Sequence, residues 1–251
     1  MPGSRYGPRL DELLVSRGMF QTRSRARDAI LRGTVRVDGS PAVKPGQLVA
    51  DGALLTVDDP ASRYVSRAAL KLLAGLDRFG LDPRGAEALD IGASTGGFTQ
   101  VLLERGAAHV TALDVGHGQL APLLAADPRV TAREGVNARE LTAATLDGRT
   151  PNFLVADVSF ISLELALPPA LRLAAPGALG LFLVKPQFEA GRAMIGKGGL
   201  LRDPAAGEAV AEARSAWLDA FPGWRALGLV LSPIEGGDGN REFLLAGAKD
   251  R

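Results

Sequence analysis

The stretch Asp90-Ile91-Gly92-Ala93-Ser94-Thr95-Gly96-Gly97-Phe98 decides how the rest of the chain is read. It grows out of an apolar run, Ala86–Ile91, with the length and hydrophobicity of a buried strand. It leads into Phe98–Arg105, where apolar residues recur at helical spacing. Glycines in a strand-to-helix turn allow backbone to approach a ligand closely. Further on, Val110-Thr111-Ala112-Leu113 is a second apolar run that ends in Asp114. A carboxylate at that strand end can accept hydrogen bonds from both hydroxyls of a ribose.

The alternation continues outward. Phe153–Ala156, Leu179–Val184, Leu227–Leu231 and Phe243–Ala246 read as further strands, and Arg67–Leu76, Leu163–Leu173 and Glu208–Ala220 as amphipathic helices. Strands alternating with helices predict an α/β domain with a mainly parallel sheet covered on both faces. Ligands in that architecture sit beyond the carboxyl ends of the strands. Acid, glycine loop, helix, strand and acid together form the nucleoside-binding half of a Rossmann-like fold. Two cofactors suit it, S-adenosylmethionine and a nicotinamide dinucleotide. The Gly-x-Gly-x-x-Gly fingerprint of the second is missing, because Ser94 stands at its middle glycine. The expected cofactor contacts are Asp90, Gly92, Ser94, Gly96, Gly97, Phe98 and Asp114. Asn137, in Arg133-Glu134-Gly135-Val136-Asn137, either faces an adenine or caps its own loop.

Composition narrows the chemistry. The 251 residues contain no cysteine, so disulfides, thiolate metal sites and cysteine nucleophiles are excluded. Two histidines, His109 and His117, are too few for a typical zinc centre, and no metal is expected. With 46% hydrophobic and 23% charged residues the chain is an ordinary globular protein. Its apolar stretches fall short of the roughly 18 residues of a membrane span, so a cytoplasmic location without membrane attachment is expected. A net charge of +1 means that any case for a nucleic-acid partner rests on local clusters.

Such a cluster lies in the first sixty residues. Leu10, Leu13 and Leu14 suggest a short helix stopped near Gly18, and Thr22 caps a second helix whose buried stripe is Ala26, Ala29 and Ile30. Val35-Arg36-Val37, the turn Asp38-Gly39, Ala42-Val43 and Leu54–Val57 predict a small sheet. Arg5, Arg9, Arg17, Arg23, Arg25, Arg27, Arg32, Arg36 and Lys44 stand here against seven acids. A solvated helix face is the plain alternative. The run Arg9-Leu10-Asp11 … Ser16-Arg17-Gly18 … Ser24-Arg25-Ala26 … Gly33-Thr34-Val35-Arg36-Val37-Asp38-Gly39 resembles the S4 RNA-binding domain. That resemblance implies an α+β module over 1–62 that grips structured RNA through Arg9, Arg23, Arg25, Arg27, Arg32 and Arg36.

In the second domain, 63–251, ionisable residues stand at strand ends. Ala156 runs into Asp157, Val184 into Lys185, and Glu242 opens the last strand, which suggests that this strand runs antiparallel. Lys71 lies in the helix that begins the domain. Lysine occurs only at 44, 71, 185, 197 and 249 in a chain rich in arginine. Unlike arginine, a lysine amine can serve as a base near neutral pH. Two amines held close disfavour double protonation. Lys185 is therefore expected to be the base in methyl transfer to a ribose hydroxyl. Lys71 and Asp157 would place the hydroxyl and the methyl group, and Glu242 would hold the lysine side chains.

Lys71, Asp157, Lys185 and Glu242 match the Lys-Asp-Lys-Glu tetrad of FtsJ-type ribose methyltransferases. Tyr64-Val65-Ser66-Arg67 … Leu70-Lys71-Leu72, the glycine loop, Val184-Lys185-Pro186-Gln187-Phe188-Glu189 and Gly239-Asn240-Arg241-Glu242-Phe243-Leu244 are similar to the TlyA family over nearly the whole chain. The resemblance implies S-adenosylmethionine-dependent 2′-O-methylation of cytidine in bacterial ribosomal RNA, with ribosomal RNA or subunits as partner. The family also carries an old haemolysin label. Ser62-Arg63-Tyr64-Val65 departs from the Arg-Ala-Trp-Val linker of some members. The competing expectations are a non-catalytic assembly factor, a nicotinamide-dependent oxidoreductase and a membrane-lysing protein.

Overall fold

A computed structural model describes residues 7–236 and 239–250; Arg5 lies outside them. The chain divides into two compact units, one ending at Ser62 and the other beginning at Arg63.

In the first unit, α1 (Leu10–Ser16) and α2 (Arg23–Leu31) pack through Leu10, Leu13, Leu14, Ala26, Ala29 and Ile30. Thr22 caps α2 by accepting the Arg25 N–H. A three-stranded antiparallel sheet follows: β1 (Val35–Val37), β2 (Ser40–Pro41) and β3 (Leu55–Val57), in the order β2-β1-β3. Asp38 and Gly39 take φ values of 48° and 80°, the two left-handed residues of the tightest hairpin turn. The return strand sits earlier than expected. The Ala42 N–H still reaches the Val35 carbonyl (2.9 Å), but Val43 is exposed and outside any strand.

The second unit holds seven strands: β4 (Glu87–Ile91), β5 (His109–Leu113), β6 (Val130–Arg133), β7 (Phe153–Ala156), β8 (Leu179–Val184), β9 (Trp224–Leu231) and β10 (Phe243–Lys249). Their order is β6-β5-β4-β7-β8-β10-β9. The first five are parallel, and β10 runs antiparallel between β8 and β9. One apolar layer includes Leu72, Leu76, Val101, Leu102, Phe153 and Leu181, drawing on α3 (Ala69–Phe79) and α4 (Gly97–Glu104). The other includes Leu89, Ile91, Leu167, Leu171, Phe182, Leu218 and Trp224, drawing on the helices described next.

After the four-residue α5 (Pro122–Ala125), the expected helix Leu163–Leu173 is two pieces, α6 (Leu163–Ala166) and α7 (Pro168–Leu173). Pro168 and Pro169 have no N–H to continue a ladder and instead open a new helix. α8 (Pro186–Glu189) and α9 (Ala206–Asp219) complete the unit. β6 was not visible as an apolar run because it is a sheet edge, half exposed along its length. The strand order reverses between β4 and β7, the point where a crevice opens at the carboxyl ends.

Candidate active site

The glycine loop begins on β4 with Asp90. Its Oδ2 accepts the Thr99 hydroxyl at 2.7 Å, while its buried Oδ1 has no hydrogen-bond partner. Burial, reinforced by the neighbouring carboxylates of Asp157 and Asp114, pushes the Asp90 carboxyl up to about 7, against the Thr99 hydrogen bond. Gly92 has φ 81°, and a Cβ there would lie 2.7 Å from the Asp157 carbonyl oxygen, so the ends of β4 and β7 touch. Ser94 adopts φ 47° and donates its N–H to Asp114 Oδ2, while the Gly116 N–H reaches Oδ1, both at 2.8 Å. Gly96 caps α4, and a Cβ on Gly97 would meet Ser66.

Two expected cofactor contacts sit differently. Phe98 is 3% exposed inside the apolar layer, so its side chain serves packing. Asn137 uses its Oδ1 to cap the short turn Ala138–Glu140 through the Arg139 N–H at 3.1 Å, which is the loop-capping alternative.

The other strand ends bring two lysine–carboxylate pairs to the same edge of the sheet. Lys71, on α3, forms an ion pair with Glu242, and both are almost fully buried. Glu242 reaches that position because β10 runs antiparallel to β8, with Phe243 opposite Val184. Lys185 Nζ lies 2.6 Å from Asp157 Oδ1, an ion pair whose angles fall short of a hydrogen bond. The same amine donates to the Ser159 hydroxyl at 2.9 Å. Among the described residues Glu242 holds Lys71 alone rather than both lysines, and Asp157 holds Lys185.

Three residues here escaped the sequence reading. Ser159 follows Asp157 by two positions and supplies a hydroxyl to Lys185. Phe160 is 90% exposed at φ 65°, with its ring 5.0 Å from that of Phe188, which itself lies 6.0 Å from Lys185 Nζ. An exposed aromatic held in a left-handed conformation is costly for both burial and backbone. The signal was available: an aromatic three residues beyond a strand-end acid, where a loop normally turns polar. Glu189, on α8, accepts the Leu163 N–H at 2.9 Å, and burial pushes its carboxyl up to about 7.

In the first unit the arginines divide by use. Arg32 is consumed by Asp59 (2.7 and 2.9 Å) and Asp28 (2.9 Å). Arg9 and Arg23 lean on the buried Asp11, whose carboxyl is held below its usual range by Arg9, with burial opposing and Arg23 assisting. Arg25 reaches the Ala61 carbonyl at 3.5 Å and Arg36 the Gly39 carbonyl at 3.2 Å. Arg27 is exposed and makes no hydrogen bond, ion pair or ring contact with another described residue.

Comparison with known proteins agrees with this layout. Residues 64–249 match the FtsJ-like methyltransferase family, and residues 8–55 match the S4 domain. A 16S/23S rRNA (cytidine-2′-O)-methyltransferase, TlyA, from Mycobacterium tuberculosis is 48% identical over 240 residues, 94% of this chain and 88% of that one. Hemolysin A from Brachyspira hyodysenteriae is 39% identical over 237 residues, 94% of this chain and 98% of its own. A solved structure from Streptococcus thermophilus, also bearing a hemolysin name, has 41% identity and a TM-score of 0.75, covering 98% of this chain and 90% of that one. No helix among the described residues is long and apolar enough to cross a membrane. The chain belongs to the FtsJ-like methyltransferase family, and to the branch of it, typified by TlyA, that carries an S4 domain ahead of the catalytic fold.

Proposed function

We propose that this protein transfers a methyl group from S-adenosylmethionine to a ribose 2′-hydroxyl of bacterial ribosomal RNA, at cytidine. The observation that carries the reading is the meeting of Lys71–Glu242 and Lys185–Asp157 beside the glycine loop. The named activity of the Mycobacterium tuberculosis relative supports the substrate.

The cofactor's fit is argued from the loop. A buried carboxylate oxygen with no partner, on Asp90, suits a donor that carries positive charge. Asp114 stands at the end of β5, where a ribose would lie, with its oxygens oriented by two backbone N–H groups. Gly92, Ser94, Gly96 and Gly97 give the donor backbone rather than side chains to lie against. When bound, S-adenosylmethionine supplies an electrophilic methyl group on sulfur.

The chain's own residues do the rest. An alcohol is a weak nucleophile until its proton leaves, and Lys185 is the group that takes that proton. A ribose hydroxyl that took the position Ser159 Oγ holds beside Lys185 would stand within hydrogen-bond reach of the amine. Asp157 orients Lys185, and the pair Lys71–Glu242 fixes the other side of the site at low exposure. Phe160 offers an open ring face on which a nucleobase can stack, an interaction worth about 1–3 kcal/mol per base.

The test is methyl transfer to undermethylated ribosomal subunits together with cofactor binding. Lys185→Ala should lose about 10²–10⁴-fold in methyl transfer while keeping its affinity for S-adenosylhomocysteine. Full activity in that variant refutes the assignment.

A further inference from the structure

Between α8 and α9 the chain makes a small projecting hairpin, residues 191–202, that the tetrad does not account for. It is closed by an antiparallel bridge between Ile195 and Leu201, with the Gly196 N–H on the Leu200 carbonyl (2.7 Å) and the Arg202 N–H on the Met194 carbonyl (2.9 Å). Gly191, Gly198 and Gly199 all have φ between 74° and 79°, values that leave their backbone bare of side chains.

The hairpin carries Arg192, Lys197 and Arg202, all exposed. No carboxylate among the described residues pairs with any of them, and Arg202 Nε merely touches the Ile195 carbonyl at 3.2 Å. The acids on either side, Glu189 and Asp203, form no ion pair with them. Glu189 is buried against Leu163 and Arg214, and Asp203 Oδ1 accepts the Ala205 N–H at 2.9 Å. In the rest of this unit Arg105, Arg129, Arg133, Arg149 and Arg214 each have a carboxylate partner, while Arg78, Arg139, Arg172, Arg225, Arg241 and Lys249 have none among the described residues but stand apart along the chain rather than together in one loop. Three cations left without one, in a glycine-rich loop, form a surface for an anion supplied from outside.

The hairpin is also tied to the catalytic edge. Asn240, 5% exposed, accepts the Leu201 N–H on Oδ1 (3.3 Å) and donates from Nδ2 to the Gly199 carbonyl (3.0 Å). Two residues later the same segment delivers Glu242 to Lys71. At its other end the hairpin begins just after α8, the helix that follows Lys185 directly. Both lysine–carboxylate pairs are therefore one short segment away from it.

We propose that residues 191–202 are a phosphodiester clamp: Arg192, Lys197 and Arg202 seize the RNA backbone next to the target nucleotide, and Asn240 sets the clamp's position relative to Glu242. The proposal rests on the reading of the protein as an RNA methyltransferase. It adds a second grip, separate from the S4 domain and built into the catalytic unit. Arginine's forked donors and lysine's point charge both suit phosphate oxygens, and bare glycine N–H groups can join them. The half-exposed Met194 and Leu200 give ribose and base edges an apolar rest.

The experiment uses the full chain with the three cations replaced together (Arg192→Ala, Lys197→Ala, Arg202→Ala), and a single Lys197→Glu variant as a milder partner. KM for undermethylated ribosomal subunits is measured as a function of salt, alongside affinity for S-adenosylhomocysteine. Each lost phosphate contact removes about 0.7–0.9 from the slope of log affinity against log salt. The triple variant should raise KM at least about tenfold and flatten that slope by about two to three. Affinity for S-adenosylhomocysteine should stay the same. Lys197→Glu should raise KM in the same direction. An unchanged KM and slope in both variants overturns the clamp. So does a loss confined to S-adenosylhomocysteine affinity, which would make the hairpin a cover for the donor. Failure of the wild-type protein to methylate RNA at all strikes the functional reading instead, and binding of a labelled single-stranded RNA to Lys185→Ala, with and without the three cations, then judges the clamp alone.

Discussion

Asp90→Asn replaces a buried, titrating carboxyl with a neutral group of the same shape. In the folded protein this carboxyl is raised from 3.8 to about 7, chiefly by burial. A tenfold change in proton affinity is about 1.4 kcal/mol, so the rise corresponds to about 4 kcal/mol. The folded pKa lies above the unfolded one, so between pH 4 and 7 the folded state holds the proton more tightly. Stability from this group is therefore present at pH 4, falls as pH rises, and is fully lost above about 7. The variant has nothing to lose there. Its stability relative to wild type should rise by about 1.4 kcal/mol per pH unit across that window, to a total change of about 4 kcal/mol. Any constant offset from an unpartnered amide leaves the slope untouched.

Urea unfolding at each pH, followed by tryptophan fluorescence, measures this cleanly. Trp217 and Trp224 both lie in the catalytic unit, so the signal omits the S4 domain. Taking the difference between the two proteins removes Glu189, which titrates in the same range. Cofactor binding should move the opposite way: wild-type affinity for the positively charged donor strengthens as pH rises through about 7, and the variant's does not. A wild-type-minus-variant stability difference that stays flat from pH 4 to 8 would refute the reasoning, because Asp90 would then be ionised throughout.

Arg32→Ala should destabilise the S4 domain by about 3–5 kcal/mol, since it strands the buried Asp59. Hydrogen exchange would show lost protection in residues 7–62 with the tryptophan transition unmoved. Arg27→Ala should leave stability within about 0.5 kcal/mol and weaken RNA binding with a shallower salt dependence; RNA affinity equal to wild type would remove Arg27 from the interface. Phe160→Gly should relieve about 1 kcal/mol or more of backbone strain and still lower methyl transfer to RNA, with S-adenosylhomocysteine affinity constant. A variant that gains stability and keeps full turnover would show that the ring serves no substrate.

Much of the catalytic unit was legible in order of residues because its central strands are buried on both faces. Phe153–Ala156 and Leu179–Val184 coincide with β7 and β8, and such strands must be apolar at every position. The glycine loop was legible for a related reason: only glycine fits where Gly92 meets the Asp157 backbone. Edge elements obey weaker rules. β6 has one half-solvated face and no continuous apolar run, and the two-part α6–α7 turned on a proline pair whose meaning depends on what each piece packs against.

Sequence by itself determined which residue types stand at the strand ends, because backbone periodicity and burial are local properties. Tertiary structure alone decided their partners. Lys71 and Glu242 are 171 positions apart, and nothing along the chain says that Glu242 takes Lys71 while Asp157 takes Lys185. The same holds for Arg32, which reads as a free cation until the fold brings Asp59 against it. Charge pairing acts over a few ångströms in space, and only the folded chain specifies which groups come that close.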